Sequence, residues 1–220
     1  MHKTVQNLIS IQSAIKSKLL TLNVKHRIPK IIAVSKTFKI EHILPLIDYG
    51  HIDYGENKVQ EAIEKWTDIK KKNNKIKLHL IGKLQTNKVK HAVKIFDYIH
   101  SLDSEKLAKK ISEEQKKNDF NPKIFIQINL GLESQKSGIV KENLVNFYNF
   151  CKNLDLNIVG IMCIPPFDED SSKYFSEMSK LCKSIDKNEL SMGMSSDYLS
   201  AIEFSSTFLR IGSNIFGKRS

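Results

Sequence analysis

The sequence predicts a single-domain α/β fold, a (β/α)8 barrel of the TIM type with one extra helix at its N-terminus. Three observations carry this. Eight short apolar runs recur along the chain, each of the first seven is followed by a segment with helical spacing, and no Pro/Gly/Ser-rich linker divides the 220 residues. Continuous apolar strands separated by helices pair in parallel, with both faces of the sheet covered. Eight such units match a closed barrel, whose usual size range begins at about 200 residues. A doubly wound open sheet is the other architecture compatible with the pattern, though it does not require eight units.

Each element can be justified in turn. Residues 1–22 read as an amphipathic helix that packs on the barrel, because Leu8, Ile11, Ile15 and Leu19 recur at helical spacing. The strand candidates are KIIAVSK, HIDYG, KLHLIG, YIHSLD, KIFIQINLG, NIVGIMCIPP, ELSMGMS and FLRIGS. Helices are expected from about Glu41, through VQEAIEKW and TNKVKHAVKIF, from near Ser104, and through KENLVNFYNFCKNL, SSKYFSEMSKLCKSI and DYLSAIEF. The dense run Lys70 to Lys75 is expected in a loop between a helix and a strand.

Composition narrows the function classes. With no apolar stretch near the roughly 20 residues of a membrane helix, a membrane partner is not expected. The N-terminus lacks the continuous apolar core and small-residue cleavage site of a signal peptide. Cys151, Cys163 and Cys182 are odd in number and form no C-x-x-C, which favours a reducing cytoplasm over disulfides. No H-E-x-x-H or other ligand spacing is present among the seven histidines, so no metal site is expected. The net charge of +11 raises nucleic acid as a partner. Its lysines are dispersed over the whole length, without an arginine-rich helix or an aromatic-and-basic strand, so a solvated surface is the preferred reading.

In a TIM-type barrel the chemistry sits at the C-terminal ends of the strands, and a phosphate is often held after strands seven and eight. Lys36 ends the first apolar run, Asn57 closes YGEN after the second, and His79 lies in the third. SMGMSSD ends the seventh run, with Ser195 and Ser196 beside a helix start. In the eighth, RIGS supplies Gly212, where backbone can approach closely, and the Ser213 hydroxyl. Free N–H groups and hydroxyls of this kind can form a phosphate cup; either motif alone is better read as a turn or cap, and it is the two together, after strands seven and eight, that favour phosphate. Burial of Lys36 among apolar neighbours disfavours the ammonium form and makes the amine a nucleophile toward a carbonyl. A lysine facing a phosphate cup suggests a Schiff base with a phosphorylated aldehyde, and pyridoxal 5′-phosphate (PLP) needs both features. Arg210, two residues before Gly212, points the same way along its strand and can reach the cofactor ring; a barrel-interior ion pair is its other reading.

The segments AVSKT, YGENKVQEA, LHLIGKLQTNK, INLGLESQKSGI, GIMCIPP, SMGMSSDYLSAI and LRIGSNIFGKR occur in order from Ile31 to Arg219. Together they resemble the PLP homeostasis proteins, the YggS/PROSC family. The resemblance implies a barrel like the N-terminal domain of alanine racemase, with Lys36 as the Schiff-base lysine and Asn57 near the cofactor. It also implies that His79 lines the site, that Ser195 or its neighbour Ser196 holds the phosphate with Gly212 and Ser213, and that Arg210 faces the pyridine nitrogen. Ser213 stands where threonine is common in the family, and the hydroxyl is retained. Lys58 and Lys83 occupy variable places and are assigned no role. The implied function is PLP binding in vitamin B6 homeostasis, with PLP-dependent apo-enzymes as candidate partners and a monomeric state.

The alternative is a PLP-dependent amino-acid racemase. Racemisation needs an acid–base group on each face of the bound amino acid, and Lys36 supplies one. In the alanine racemases the second comes from a further β domain, and this sequence ends at Ser220. Holding PLP, rather than turning over a substrate, is therefore the preferred expectation. An arginine at the pyridine nitrogen points the same way, since a permanent cation there disfavours ring protonation and weakens the electron sink.

Overall fold

The computed structural model describes residues 1–22, 27–131 and 137–217. Among them, eight parallel strands close a barrel: β1 (Lys30–Val34), β2 (Asp53–Glu56), β3 (Lys77–Leu80), β4 (Tyr98–Leu102), β5 (Lys123–Ile128), β6 (Ile158–Cys163), β7 (Glu189–Met194) and β8 (Phe208–Ile211). The ring closes because β8 pairs with β1 in register from Lys30↔Phe208 to Ala33↔Ile211. Every strand candidate of the sequence is therefore a strand of the barrel, and the open sheet is ruled out. The middle of INLGLESQKSGI (132–136) and the end of LRIGSNIFGKR (218–219) lie outside the described residues.

The helices form the outer layer: α1 (Lys3–Thr21), α2 (Ile40–Asp48), α3 (Val59–Lys72), α4 (Val89–Ile95), α5 (Glu105–Asn118), α6 (Leu144–Asn153), α7 (Ser171–Ser184), α8 (Tyr198–Glu203) and α9 (Ser213–Phe216). Short 3-10 turns, Thr86–Lys88 and Lys141–Asn143, lead into α4 and α6. The extra helix α1 packs on α2, α8 and α9 and buries Leu8, Ile11 and Ile15. Each such side chain contributes about 1.5–3 kcal/mol on burial. The His2 ring accepts the Thr4 N–H at the start of α1, and Ser104 Oγ accepts the Leu107 N–H at the start of α5, so both helices begin at side-chain caps.

The lysine run departs from expectation. Lys70, Lys71 and Lys72 form the last turn of α3, where cations complement the helix dipole. Lys70 Nζ also donates to the Ile95 carbonyl at the end of α4 (2.8 Å) and to Asp97 Oδ2 (2.5 Å), which ties two outer helices to the start of β4. Among the described residues, no helix is long and apolar enough to cross a membrane, and no three His, Cys, Asp or Glu side chains gather into a metal-binding group. All three cysteines are free and buried, and burial pushes each thiol up to about 12.

Candidate functional site

A cavity of about 470 Å3 opens at the C-terminal ends of β1, β2, β7 and β8. That volume falls within the range of small-molecule sites. Lys36, Asn57, Ser195, Ser196, Arg210, Gly212 and Ser213 all line it. Four strand ends far apart in sequence thus deliver one amine, one guanidinium, one amide and three hydroxyls to one space. A larger cavity of about 650 Å3 lies on the β3–β5 side, lined in part by Lys83, Asp103 and Ser104. Lys58 is exposed and lines neither cavity.

Lys36 is half-buried in the turn that follows β1. Ser35 N–H donates to the Gly55 carbonyl (3.0 Å), and Phe38 N–H donates back to the Ser35 carbonyl (3.2 Å), which closes the turn around Lys36. Thr37 takes a left-handed φ of 69°, a costly conformation for a β-branched residue. Its N–H is gripped by Glu61 Oε1 at 2.6 Å. Lys65 Nζ donates to the Ser35 carbonyl (3.0 Å), Glu56 Oε1 (2.9 Å) and Glu61 Oε1 (3.0 Å). Glu56 is fully buried and also accepts from Ser35 Oγ (2.7 Å) and Trp66 Nε1 (3.0 Å). Burial pushes the Glu56 carboxyl above its ordinary range, against the pull of Lys65 and these hydrogen bonds. For Glu61 burial also acts upward, but the Lys65 and Thr37 hydrogen bonds win and its carboxyl lies below the ordinary value.

Asn57 follows β2 in close contact with Gly82. A Cβ at Gly82 would fall 2.5 Å from the Asn57 carbonyl oxygen, so the glycine is what lets the two loops meet. Across the cavity, Ser195 Oγ accepts the Gly212 N–H (3.3 Å), and Asn214 Nδ2 donates to the Ser195 carbonyl (2.9 Å). The loops after β7 and β8 are thereby joined, and the Ser195 hydroxyl proton remains available to an acceptor. Phe38 stacks on Phe216 of α9 with ring centroids 4.9 Å apart, which links the Lys36 turn to the β8 side.

Arg210 projects into the barrel from β8 and is only 4% exposed. Its Nη1 donates to the Ser191 carbonyl (2.6 Å) and Ser191 Oγ (2.7 Å), and Nη2 donates to the Cys163 carbonyl (2.8 Å). Burial lowers its pKa, opposed by the Cys163 and Asp197 charges. No carboxylate forms a salt bridge with it among the described residues, so the barrel-interior ion pair expected as its other reading is not made. A buried cation is costly without a partner, and this one faces a cavity.

The structure places His79 away from the cavity wall expected of it. It is fully buried inside the barrel, stacked on Tyr98 at 4.3 Å between centroids, with Nε2 3.0 Å from Asp53 Oδ1 and Nδ1 3.0 Å from His100 Nε2. The alternation of β3 turns His79 inward, one layer deeper than the strand ends that form the cavity. Glu56, Glu61, Lys65, Ser191 and His100 were not singled out from sequence. Polar residues interrupting a short strand run, as His100 and Ser101 do in YIHSL, are the one signal that could have found His100.

The family model described as alanine racemase, N-terminal domain matches residues 12–220. A pyridoxal phosphate homeostasis protein of Aquifex aeolicus is 36% identical over 86% of this chain and 87% of its own length. One from Vibrio cholerae is 34% identical over 100% of this chain and 98% of its own. Among solved structures, PipY of Synechococcus elongatus with PLP bound superposes with a TM-score of 0.81 at 31% identity, covering 92% of this chain and 100% of that one. An alanine racemase of Clostridium difficile, 15% identical with a TM-score of 0.70, covers 99% of this chain and 57% of its own and shares the fold. The chain therefore belongs to the pyridoxal phosphate homeostasis protein family, built on the alanine racemase N-terminal fold.

Proposed function

We propose that this chain binds PLP in the cavity between β1, β2, β7 and β8 and serves PLP homeostasis. One observation carries the reading: a single cavity gathers Lys36 from one rim and Ser195, Ser196, Gly212 and Ser213 from the other, with Arg210 at its floor. The residues fit such a group. Lys36 would supply the amine for a Schiff base, the β7–β8 loops would offer hydroxyls and a glycine backbone to the phosphate, and Asn57 would help to hold the ring. Bound there, PLP supplies an electrophilic aldehyde carbon and a pyridine ring. Arg210 is donor-only, so beside the ring of bound PLP it would offer the pyridine nitrogen a cation and no acceptor, which would disfavour ring protonation. That favours holding the cofactor over carbanion chemistry. The buried free thiols accord with a cytoplasmic setting, where a monomer would exchange PLP with PLP-dependent apo-enzymes.

Titrating the protein with PLP and following near-visible absorbance tests the reading. The unmodified chain is expected to develop the band and Lys36→Ala to lose it. Borohydride reduction followed by mass mapping should place the modification on Lys36, and modification of another lysine would reject the assignment. Conversion of L-alanine to D-alanine that depends on Lys36 would favour the racemase alternative.

A further inference from the structure

Arg210 is the last member of a line of buried polar side chains that crosses the barrel interior. Asp53 Oδ1 lies 3.0 Å from His79 Nε2, His79 Nδ1 lies 3.0 Å from His100 Nε2, and His100 Nδ1 lies 2.8 Å from Ser191 Oγ. Ser191 Oγ is 2.7 Å from Arg210 Nη1. His79, His100 and Ser191 are each 0% exposed. Ile32, Tyr98, Phe125, Met162 and Phe208 wall the line off, with Phe125 stacked on His100 at 4.3 Å.

We infer that Asp53, His79, His100 and Ser191 are positioning residues for Arg210, joined in a one-way hydrogen-bonded line in which every proton points away from the cavity. The inference rests on the PLP reading only for what Arg210 does there. Its direction follows from counting donors. An ionised Asp53 only accepts, so His79 must present Nε2–H to it. Neutral His79 then accepts at Nδ1, which requires His100 to donate from Nε2. Neutral His100 accepts at Nδ1, so Ser191 gives it its single hydroxyl proton. The Ser191 lone pairs are left facing Arg210, whose guanidinium has only donors. Each link agrees with the next, and the line ends in a negative charge at one end and a positive charge at the other.

The surroundings support neutral rings. Burial lowers the pKa of His79 against the pull of Asp53, and burial, with His79 and Arg210 adding to it, lowers that of His100 further. Burial raises Asp53, but the hydrogen bond from His79 and the nearby Lys30 charge are among the effects that outweigh it and hold the carboxyl below the ordinary value. Asp97 and Lys30 also act on His79, and Asp197 and Cys163 act on Arg210. The line thus gives Arg210 a remote counter-charge while keeping carboxylates out of the cavity. It also accounts for a histidine that sits in a site motif yet touches no part of the cavity.

The test is nitrogen-15 NMR of the imidazole rings in the full chain without ligand. Between about pH 6 and 8 both His79 and His100 should be neutral, protonated at Nε2 and bare at Nδ1. Ser191→Ala should shift the His100 ring nitrogens, and Asp53→Asn should shift those of His100 through His79. A doubly protonated ring, an Nδ1–H tautomer at either histidine, or a His100 signal indifferent to both variants would overturn the line. In PLP titrations Ser191→Ala should weaken binding about tenfold, the loss of one hydrogen bond to a charged group. Wild-type affinity in Ser191→Ala would overturn the positioning role. Failure of the unmodified chain to bind PLP would count against the cavity assignment, which the NMR measurement does not depend on.

Discussion

On the β1–β2 rim, the residues on either side of Lys36 are gripped by three charged side chains, Glu56, Glu61 and Lys65. On the β7–β8 rim, Ser195, Gly212 and Asn214 meet through a hydroxyl, a backbone N–H and a side-chain amide. The contrast follows from what each rim must hold. Thr37 sits in a left-handed conformation, and strain of that kind persists only where surrounding contacts over-determine it. Gly212 has a φ of −113° and needs no such restraint. One rim is a strained amine carrier under an ionic clamp, whereas the other is an unstrained cup.

The largest effect is expected from breaking the clamp. Glu56→Ala leaves Lys65, Trp66 Nε1 and the Ser35 hydroxyl without their shared acceptor in a buried site, at a cost of about 3 kcal/mol. Glu56→Gln keeps an acceptor oxygen and puts its nitrogen where Oε2 has no hydrogen-bond partner, so its cost should be well under half of that. Urea unfolding of both variants measures the difference, and equal losses would show that packing rather than the clamp holds the rim.

The two carboxyls of the clamp also predict opposite pH limits. Glu56 has a raised folded pKa, so its contribution is full below the ordinary carboxylate value and lost as pH rises through the raised one. Glu61 has a depressed folded pKa, so its contribution is present above the ordinary value and lost as pH falls through the depressed one. Glu61→Gln should flatten the acid side of the stability profile, and Glu56→Gln the side just above the ordinary carboxylate range. A Glu61→Gln profile that still falls on the acid side like the parent would remove Glu61 from the account. On the opposite rim, Ser195→Ala removes one neutral hydrogen bond and should cost about 1 kcal/mol of stability while weakening PLP binding. A stability loss matching that of Glu56→Ala would erase the contrast between the rims.

How much of this was legible in the sequence differs between the rims and the interior. The strand runs fixed where Lys36, Asn57, Ser195 and Gly212 emerge, because a barrel sends every strand end to one mouth regardless of side-chain detail. The clamp was hidden because Glu56, Glu61 and Lys65 look like ordinary polar residues at a strand end and on a helix; only the turn of α3 brings them under Ser35. The interior line was harder to see. Its contacts join residues 21 and 91 positions apart, and they exist only in the register set by ring closure. His79 was located on the correct strand, but a strand position does not tell which layer of the barrel it faces.

The smallest stability effect, and the sharpest division between structural and ligand-directed roles, is expected at Gly212. A Cβ added there would lie 3.4 Å from Val34 Cβ and 3.6 Å from the Val34 carbonyl oxygen, ordinary contact distances. Its φ of −113° lies outside the left-handed region that favours glycine. Gly193, one strand away, differs: its φ is +90° and an added Cβ would meet Ala201 Cβ at 2.6 Å. Gly193→Ala should therefore destabilise the fold, whereas Gly212→Ala should change stability by about 0.5 kcal/mol or less. If Gly212 is glycine so that a phosphate can approach the backbone, the same methyl should weaken PLP binding about tenfold, the equivalent of about 1.4 kcal/mol. Thermal unfolding without ligand and PLP titration separate the two effects. A Gly212→Ala protein that unfolds early makes the glycine structural, and one that binds PLP like the parent removes Gly212 from the cup.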